Sequence, residues 1–397
     1  MAKNLAQKTI RFITRIHLPE AAAASFRIDA VEKAVKRAGG AVKVLTSALP
    51  KNKAGRDDEG TVRVPVLRDK DGYLKGYIPY LTFDLQAGAR ALFGKRPDLA
   101  VVEPPPTTGM VIRIASALRR FPYVWYAADV WSDAAEATGA PGFVVSAVRF
   151  MESATIRGAA GVIAVSEGVG ERVKALGGTN IRVIPNGADT DTFTPEAKMS
   201  EDELTAFGIT RPFVIYAGTA SEWQGAEIFA KAFARANEEE DLGLQLVVVG
   251  RGDSLEMMRD IGETMPERDY EPMIIRDPVD PATAAALQAS ARAALVSIRP
   301  GLGYDFAYPT KVLTALACGT PVLYAGAGPA IKDLRDNEIG VACGYDVEQI
   351  AVALTEIAEK EPEPSLRERA RTWVEENKSM RAMGDAAAAF FAEILRS

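Results

Sequence analysis

Three loops of this chain, each read as following a β-branched run and leading into a helix, hold the residues best suited to an anion. Gly218 and Thr219 precede Ser221-Glu222-Trp223-Gln224-Gly225, and Gly250-Arg251-Gly252 follows the run LQLVVV. After AALVSI, Arg299-Pro300 leads through a Gly/Tyr-rich stretch to Tyr308-Pro309-Thr310-Lys311. Backbone amides at a helix start bind anions readily. Arg251, Arg299 and Lys311 add fixed positive charge, and Arg276, closing the run MIIR, is a further candidate. Several such loops used together suit a nucleoside diphosphate.

A second group lies in the N-terminal half. His17 stands at the end of the first expected strand, Glu103 precedes Pro104-Pro105-Pro106, and Asp129 lies two residues before Trp131 at another strand end. All three are candidates for acid–base or orienting roles. Each also has a plain structural reading: a core histidine, a carboxylate on a rigid loop, a helix N-cap.

Other chemistries are excluded. Gly250-Arg251-Gly252 begins a GxGxxG, but Leu255 stands where the last glycine belongs, and no GxxxxGK[ST] occurs. Asp189-Thr190-Asp191 spells a metal-binding DxD, yet it follows Pro185-Asn186-Gly187 and reads as a turn. His17 is the only histidine, which removes Cys/His zinc sites and two-imidazole mechanisms. Cys318 and Cys343 are the only cysteines, too few for a disulfide framework. No cofactor and no metal are expected.

These loops need a scaffold, and the chain supplies one. Short β-branched runs alternate with amphipathic stretches, the pattern of a doubly wound α/β protein. Strands are expected at Arg11 to Leu18, AVKVLTS, Ala100 to Glu103, Tyr123 to Asp129, Gly161 to Ser166 and Ile181 to Pro185. Thr194 to Arg211, rich in charge, Pro and Gly, reads as a linker, after which strands FVIYAG, LQLVVVG, MIIRD, AALVSI and PVLYAG restart the rhythm. Met383, Ala387, Phe390 and Ile394 form one apolar stripe on a terminal helix.

At 397 residues the chain is long enough for two cores, and 48% hydrophobic with 25% charged residues excludes wholesale disorder. The net charge of −6 argues against nucleic acid as a partner. The N-terminus lacks the apolar run of a signal peptide, and no long apolar span occurs, so a cytoplasmic location is expected. Arg63 to Phe83 interleaves basic and aromatic residues, leaving a peripheral contact at the inner face of the membrane as an option.

Several of these stretches resemble the retaining glycosyltransferases of family 4. VIPNGADTDTFTP (Val183 to Pro195) resembles their IPNGVDxxxFxP, YAGTASEWQG their strand–Gly–loop–KG, and VVVGRGD their VVGxGP. YPTKVLTALACGTPV (Tyr308 to Val322) and YAADVWSDAA resemble the PSKLxEYxAxGxPV and DLWPES elements of a bacterial subgroup. The resemblance implies a GT-B fold: two Rossmann-like domains with a cleft between them, and a C-terminal crossover helix. The expected divisions are 1–195 (acceptor side), 196–375 (nucleotide-sugar side) and 376–397 (the returning helix). Ser25 and Arg27 stand where relatives have a loop near the acceptor, and Trp131 joins them on that side.

The implied reaction moves a sugar from a nucleoside-diphosphate sugar to a hydroxyl of a saccharide or lipid-linked acceptor, such as a cell-envelope glycan. The chain departs from the pattern in respects that bear on chemistry. Family members carry two glutamates before the ACGTPV run, and here those places hold Phe306 and Thr314. Thr219 and Gln224 stand where an Arg and a Lys commonly hold the diphosphate, which leaves Lys311 as the main cation. A non-catalytic sugar-nucleotide or partner-binding member is the alternative reading. A sugar-nucleotide epimerase is less favoured, because those relatives lean on histidines.

Overall fold

The computed structural model describes residues 5–20, 22–50, 59–68, 77–137, 139–238, 240–305 and 307–396. It divides into two units, Met1–Gly187 with Met380–Ser397, and Ala188–Ser379.

In the first unit the order is β1 (Thr9–Ile13), α1 (Ala23–Arg37), β2 (Ala41–Ser47), β3 (Thr61–Val64), α2 (Tyr77–Phe93), β4 (Leu99–Val102) and α3 (Pro106–Arg119). It continues through β5 (Tyr123–Ala127), α4 (Trp131–Ala137), α5 (Gly142–Gly158), β6 (Gly161–Ala164), α6 (Glu167–Ala175) and β7 (Ile181–Val183). The strands form one seven-stranded sheet in the order β3-β2-β1-β4-β5-β6-β7. Its paired strands run parallel.

The central strands read as unbroken apolar runs because helices cover both faces. β4, β5 and β6 are buried at every position.

The second unit opens with a 3-10 turn at Pro195–Ala197 and α7 (Glu201–Phe207), then β8 (Phe213–Thr219), α8 (Glu227–Ala236), β9 (Gln245–Arg251) and α9 (Ser254–Glu263). β10 (Met273–Arg276), α10 (Pro281–Ser290), β11 (Ala293–Ile298), α11 (Thr310–Ala317) and β12 (Val322–Gly326) follow. α12 (Ala330–Asp336), β13 (Gly340–Cys343), α13 (Val347–Glu359) and α14 (Pro364–Asn377) complete it. Its six-stranded parallel sheet is ordered β10-β9-β8-β11-β12-β13.

Helix α15 (Met380–Ile394) belongs to the first unit. Met383, Ala387, Phe390 and Ile394 are all buried in the core that α15 shares with α1, and Phe391 meets Phe12 edge-on. Gly384 permits the close approach, since a side chain there would lie 2.5 Å from the Ala30 carbonyl oxygen.

Several boundaries differ from the sequence reading. The first strand ends at Ile13 rather than Leu18, because the Thr14 hydroxyl turns to the Ile16 carbonyl and to Glu103. Thr194 to Arg211 is no free linker. It contains α7, closed by a Ser200/Glu203 capping box and by Gly208 at φ +93°, and Ile209 is buried in the core of the second unit. The unit division falls after Gly187 rather than after Pro195. Of Arg63 to Phe83, residues 69–76 lie outside the described residues. Among the described residues no helix is long and apolar enough to cross a membrane.

Candidate functional site

Ligands of open parallel sheets sit beyond the carboxyl ends of the strands where the strand order reverses. In the second unit that point lies between β8 and β11. A pocket of about 560 Å³ occupies it, lined by Gly218, Thr219, Gly250, Arg251, Thr310 and Lys311, with Pro278, Val279 and Thr314.

Two glycines make the floor. Gly218 and Gly250 are partners across β8 and β9. A side chain on Gly250 would lie 1.8 Å from the Gly218 carbonyl oxygen, and Gly218 has φ +118°, a conformation L side chains avoid. Lys311 lies across this floor, its Cε 3.0 Å from where a Gly218 side chain would begin.

Lys311 sits in the first turn of α11, which Pro309 opens from an extended conformation. Its ammonium is 5.1 Å from the centroid of the Tyr216 ring. Among the described residues no carboxylate pairs with it, and burial pulls its pKa down to about 8. A half-buried cation without an anion costs stability in the empty protein. A phosphate would relieve that cost. Arg251, exposed at the end of β9, lines the same pocket.

The remaining candidates of this unit serve the loops rather than the pocket. The Gln224 side chain accepts from the Ser221 amide, and its carbonyl accepts from Ser297. Gly225 makes room for Tyr345, whose hydroxyl donates to the Gly225 carbonyl. Tyr308 donates to Asp333, and burial raises its pKa far above the usual phenol range. Arg276 pairs with Glu271 on the surface. Arg299 is exposed; its amide donates to the Trp223 carbonyl, and Trp223 stacks on Tyr304 with centroids 4.7 Å apart. The loops after β8 and β11 are therefore fastened together beside the pocket. Thr314 donates to the Lys311 carbonyl, and Phe306 lies outside the described residues.

A larger hollow, of about 940 Å³, lies at the opposite end of the sheet, by the starts of β11, β12 and β13. Its arginines are occupied by backbone carbonyls: Arg292 by Ile357 and Ala358, Arg335 by Ala342, Arg369 by Glu338. The pocket at the carboxyl ends is the better site.

In the first unit the order reverses between β1 and β4, and the polar residues after these strands form one cluster. Glu103 is buried, accepting from Arg27 at 2.6 Å and from Thr14 at 2.7 Å. The sequence reading set Glu103 and Arg27 apart as base and acceptor contact; the structure pairs them. Arg27 also faces the Tyr126 ring at 5.1 Å. Its Nε and the Tyr126 hydroxyl are buried with no hydrogen-bond partner among the described residues. Such orphaned atoms call for water or a ligand.

Arg15, which the sequence reading passed over, lies 3.7 Å above the Tyr80 ring, and Tyr80 meets Trp131 edge-on at 6.2 Å. Burial lowers the Arg15 pKa to about 10 against the pull of Asp84 and Glu103. Burial raises that of Asp84, which accepts from Thr108.

Two further candidates are held by structural contacts. Ser25 is consumed by a capping exchange with Ala22 at the start of α1. His17 is buried, with Nε2 3.0 Å from Glu32 and Nδ1 3.0 Å from the Leu18 carbonyl. Two acceptors require both nitrogens to donate, which describes an imidazolium and leaves no nitrogen to take a proton. Burial alone would lower its pKa, but Glu32 and the Leu18 carbonyl raise it overall.

Asp129, in contrast, is exposed at the end of β5 and makes no side-chain hydrogen bond or ion pair among the described residues. The α4 amides that its alternative reading as an N-cap would have it hold are taken by buried Glu152, which accepts from Trp131 and Ser132.

The raised His17 pKa gives an expected pH dependence. Its stabilisation is complete below the unfolded value of about 6.5 and is lost as pH rises through the folded value. The melting temperature of the first unit should therefore decline across that range, and Glu32→Gln should flatten the decline. An unchanged slope in the variant would remove His17 as its source.

Among the described residues no group of three or more His, Cys, Asp or Glu is gathered to hold a metal ion. The Asp189 carboxylate accepts from the amides of Asp191 and Thr192 and from the Thr192 hydroxyl, a turn closed on itself.

Comparison with known proteins now bears on both sites. Residues 24–187 match the glycosyl transferase 4-like domain, and residues 211–360 match glycosyl transferases group 1. Each half of the chain is thus similar to a glycosyltransferase domain. The D-inositol 3-phosphate glycosyltransferase of Paenarthrobacter aurescens is 25% identical over 164 residues, 41% of this chain and 38% of that protein. The match thus spans about two-fifths of that relative's length.

Among solved structures, the sucrose-phosphate synthase of Thermosynechococcus elongatus covers 98% of this chain and all of its own, with a TM-score of 0.65 at 17% identity. Anabaena HepE, solved with UDP and glucose, covers 98% of this chain and 100% of its own, with a TM-score of 0.63 at 16% identity. These two establish the shared fold.

Sequence reasoning missed Pro278, Val279, Arg15 and Tyr80. The first two follow a strand end directly, so the rule that finds Gly218 would have found them. Arg15 and Tyr80 are joined only through the tertiary fold.

Proposed function

We propose that the chain is a retaining glycosyltransferase that moves a sugar from a nucleoside-diphosphate donor, held by the second unit, to an acceptor hydroxyl held by the first. The observation that carries this reading is Lys311: a half-buried ammonium with no counter-ion among the described residues, at a helix start, over a glycine floor. In this reading the diphosphate lies on the Gly218 and Gly250 backbone, Lys311 and the α11 amides offset its growing charge as it leaves, and Arg251 assists. The base lies toward Pro278 and Val279 and the ribose toward Thr314.

Transfer with retention has the acceptor oxygen bond to the anomeric carbon on the face the diphosphate leaves. The acceptor's proton passes to the departing phosphate oxygen. This route needs no metal and no enzyme nucleophile. The acceptor is a polyol or saccharide resting on Tyr80 and Trp131, with Arg15, Arg27 and the Tyr126 hydroxyl as partners, and the free carboxylate of Asp129 orients it.

Thr314 in place of a glutamate favours a second reading, a binding protein without turnover. One series separates them. Melting with UDP, GDP, ADP, dTDP and their sugar conjugates, first without metal and then with magnesium, should single out one nucleotide. At ~100 times its dissociation constant that ligand adds about 2.7 kcal/mol. Release of the diphosphate from its sugar conjugate in the presence of saccharide acceptors supports the transferase. A shift with no release supports the binding protein, and no shift with any nucleotide overturns both.

A further inference from the structure

We propose that the outer side of the α2–α3–α5 helical layer is a docking surface for an anionic lipid bilayer. These helices cover one face of the first unit's sheet, and their inner sides share a single core. The solvent side of such a layer is normally polar. Here it is apolar on all three. Helix α2 turns Ile78, Leu81 and Leu85 outward at i, i+3 and i+7 and ends on Phe93, which is 85% exposed. α3 adds Ile114 and Leu118, and α5 adds Phe143 and Phe150, seven positions apart and at least 70% exposed. Together these are half of the large apolar residues exposed among the described residues, gathered on three neighbouring helices. An apolar surface of this kind marks an interaction site.

Charge decides the occupant. The chain as a whole is acidic, at −6. These helices carry only two carboxylates, Asp84 and Glu152, and both are buried. Among the described residues, the exposed charges on the layer and just past its helix ends are Arg90, Lys95, Arg96, Arg120, Arg149 and Arg157. Glu136 of the adjoining α4 is paired with Arg149. Apolar side chains among arginines, without an exposed carboxylate on the layer's helices, complement acyl chains beneath anionic headgroups. The sequence alone pointed to Arg63 to Phe83; the structure moves the weight to the outer faces of three helices.

The test is flotation of the full chain with vesicles of phosphatidylcholine alone and of phosphatidylcholine with an equal part of phosphatidylglycerol. At least about tenfold stronger partitioning onto the anionic vesicles is expected, weakening in high salt. Leu81→Gln/Leu85→Gln and Arg90→Gln/Arg157→Gln should each lower that partitioning several-fold. Both variants should melt like the parent and shift equally with the nucleotide selected above, so loss of docking is separable from loss of the donor site. No partitioning onto either vesicle overturns the proposal, as does partitioning that both variants retain. Concentration-dependent dimerisation in sedimentation, abolished by Leu81→Gln/Leu85→Gln, would give the surface to a second copy and also overturn it.

Discussion

Lys311→Met should make the second unit more stable and its pocket nearly unable to hold a diphosphate. The ordinary lysine value is 10.5 and burial lowers it to about 8, so below the folded value the full cost of burying the charge is present. That difference corresponds to roughly 3 kcal/mol of destabilisation at neutral pH, relieved as pH rises from the folded toward the unfolded value. Methionine keeps the length and the contact with Tyr216 but removes the charge. Calorimetric melting of the variant should show a rise of several degrees.

Titration calorimetry with the selected diphosphate should show an affinity loss of about 10- to 100-fold, the value of a charge-assisted contact. The parent should show its own pH dependence in that titration. Binding needs the ammonium, so affinity should fall as pH rises past about 8. A variant that melts and binds like the parent would remove Lys311 from the site.

The second large effect belongs to the first unit. Glu103→Ala should cost about 3–5 kcal/mol in urea unfolding, because it leaves Arg27 buried and unpaired. The Thr14 hydroxyl loses its acceptor in the same step. Removing both charges together, in Arg27→Met/Glu103→Leu, should recover most of that loss. Were Glu103 an acid–base catalyst rather than a buried partner, Glu103→Gln would abolish transfer while leaving stability near the parent's. The geometry predicts the reverse emphasis, a marked loss of stability in each single variant.

Much of the fold is legible in the residues, for identifiable reasons. AVKVLTS and AALVSI are strands with the bounds expected, because both are β-branched runs ended by a turn or a helix signal. β3 and β13 are not separately legible: each has four residues, lies at a sheet edge, and alternates too briefly to stand out. The loop rule finds Gly218, Thr219, Gly250, Arg251, Thr310 and Lys311, which share one pocket, since strand ends are local and readable. It fails for Gln224, Gly225 and Tyr308, whose partners Ser297, Tyr345 and Asp333 come from distant segments. The pairings Arg27–Glu103 and His17–Glu32 were beyond reach for the same reason. Nothing in the spacing says which buried charge meets which.

The most direct measurement is amide hydrogen exchange of the full chain with and without the selected nucleoside diphosphate. Protection is predicted at 217–219, 249–251 and 310–314, the segments lining the pocket at the ends of β8 and β9 and the start of α11. Protection confined to the hollow lined by Arg292, Arg335 and Arg369, or to the first unit alone, would contradict the assignment of the donor site.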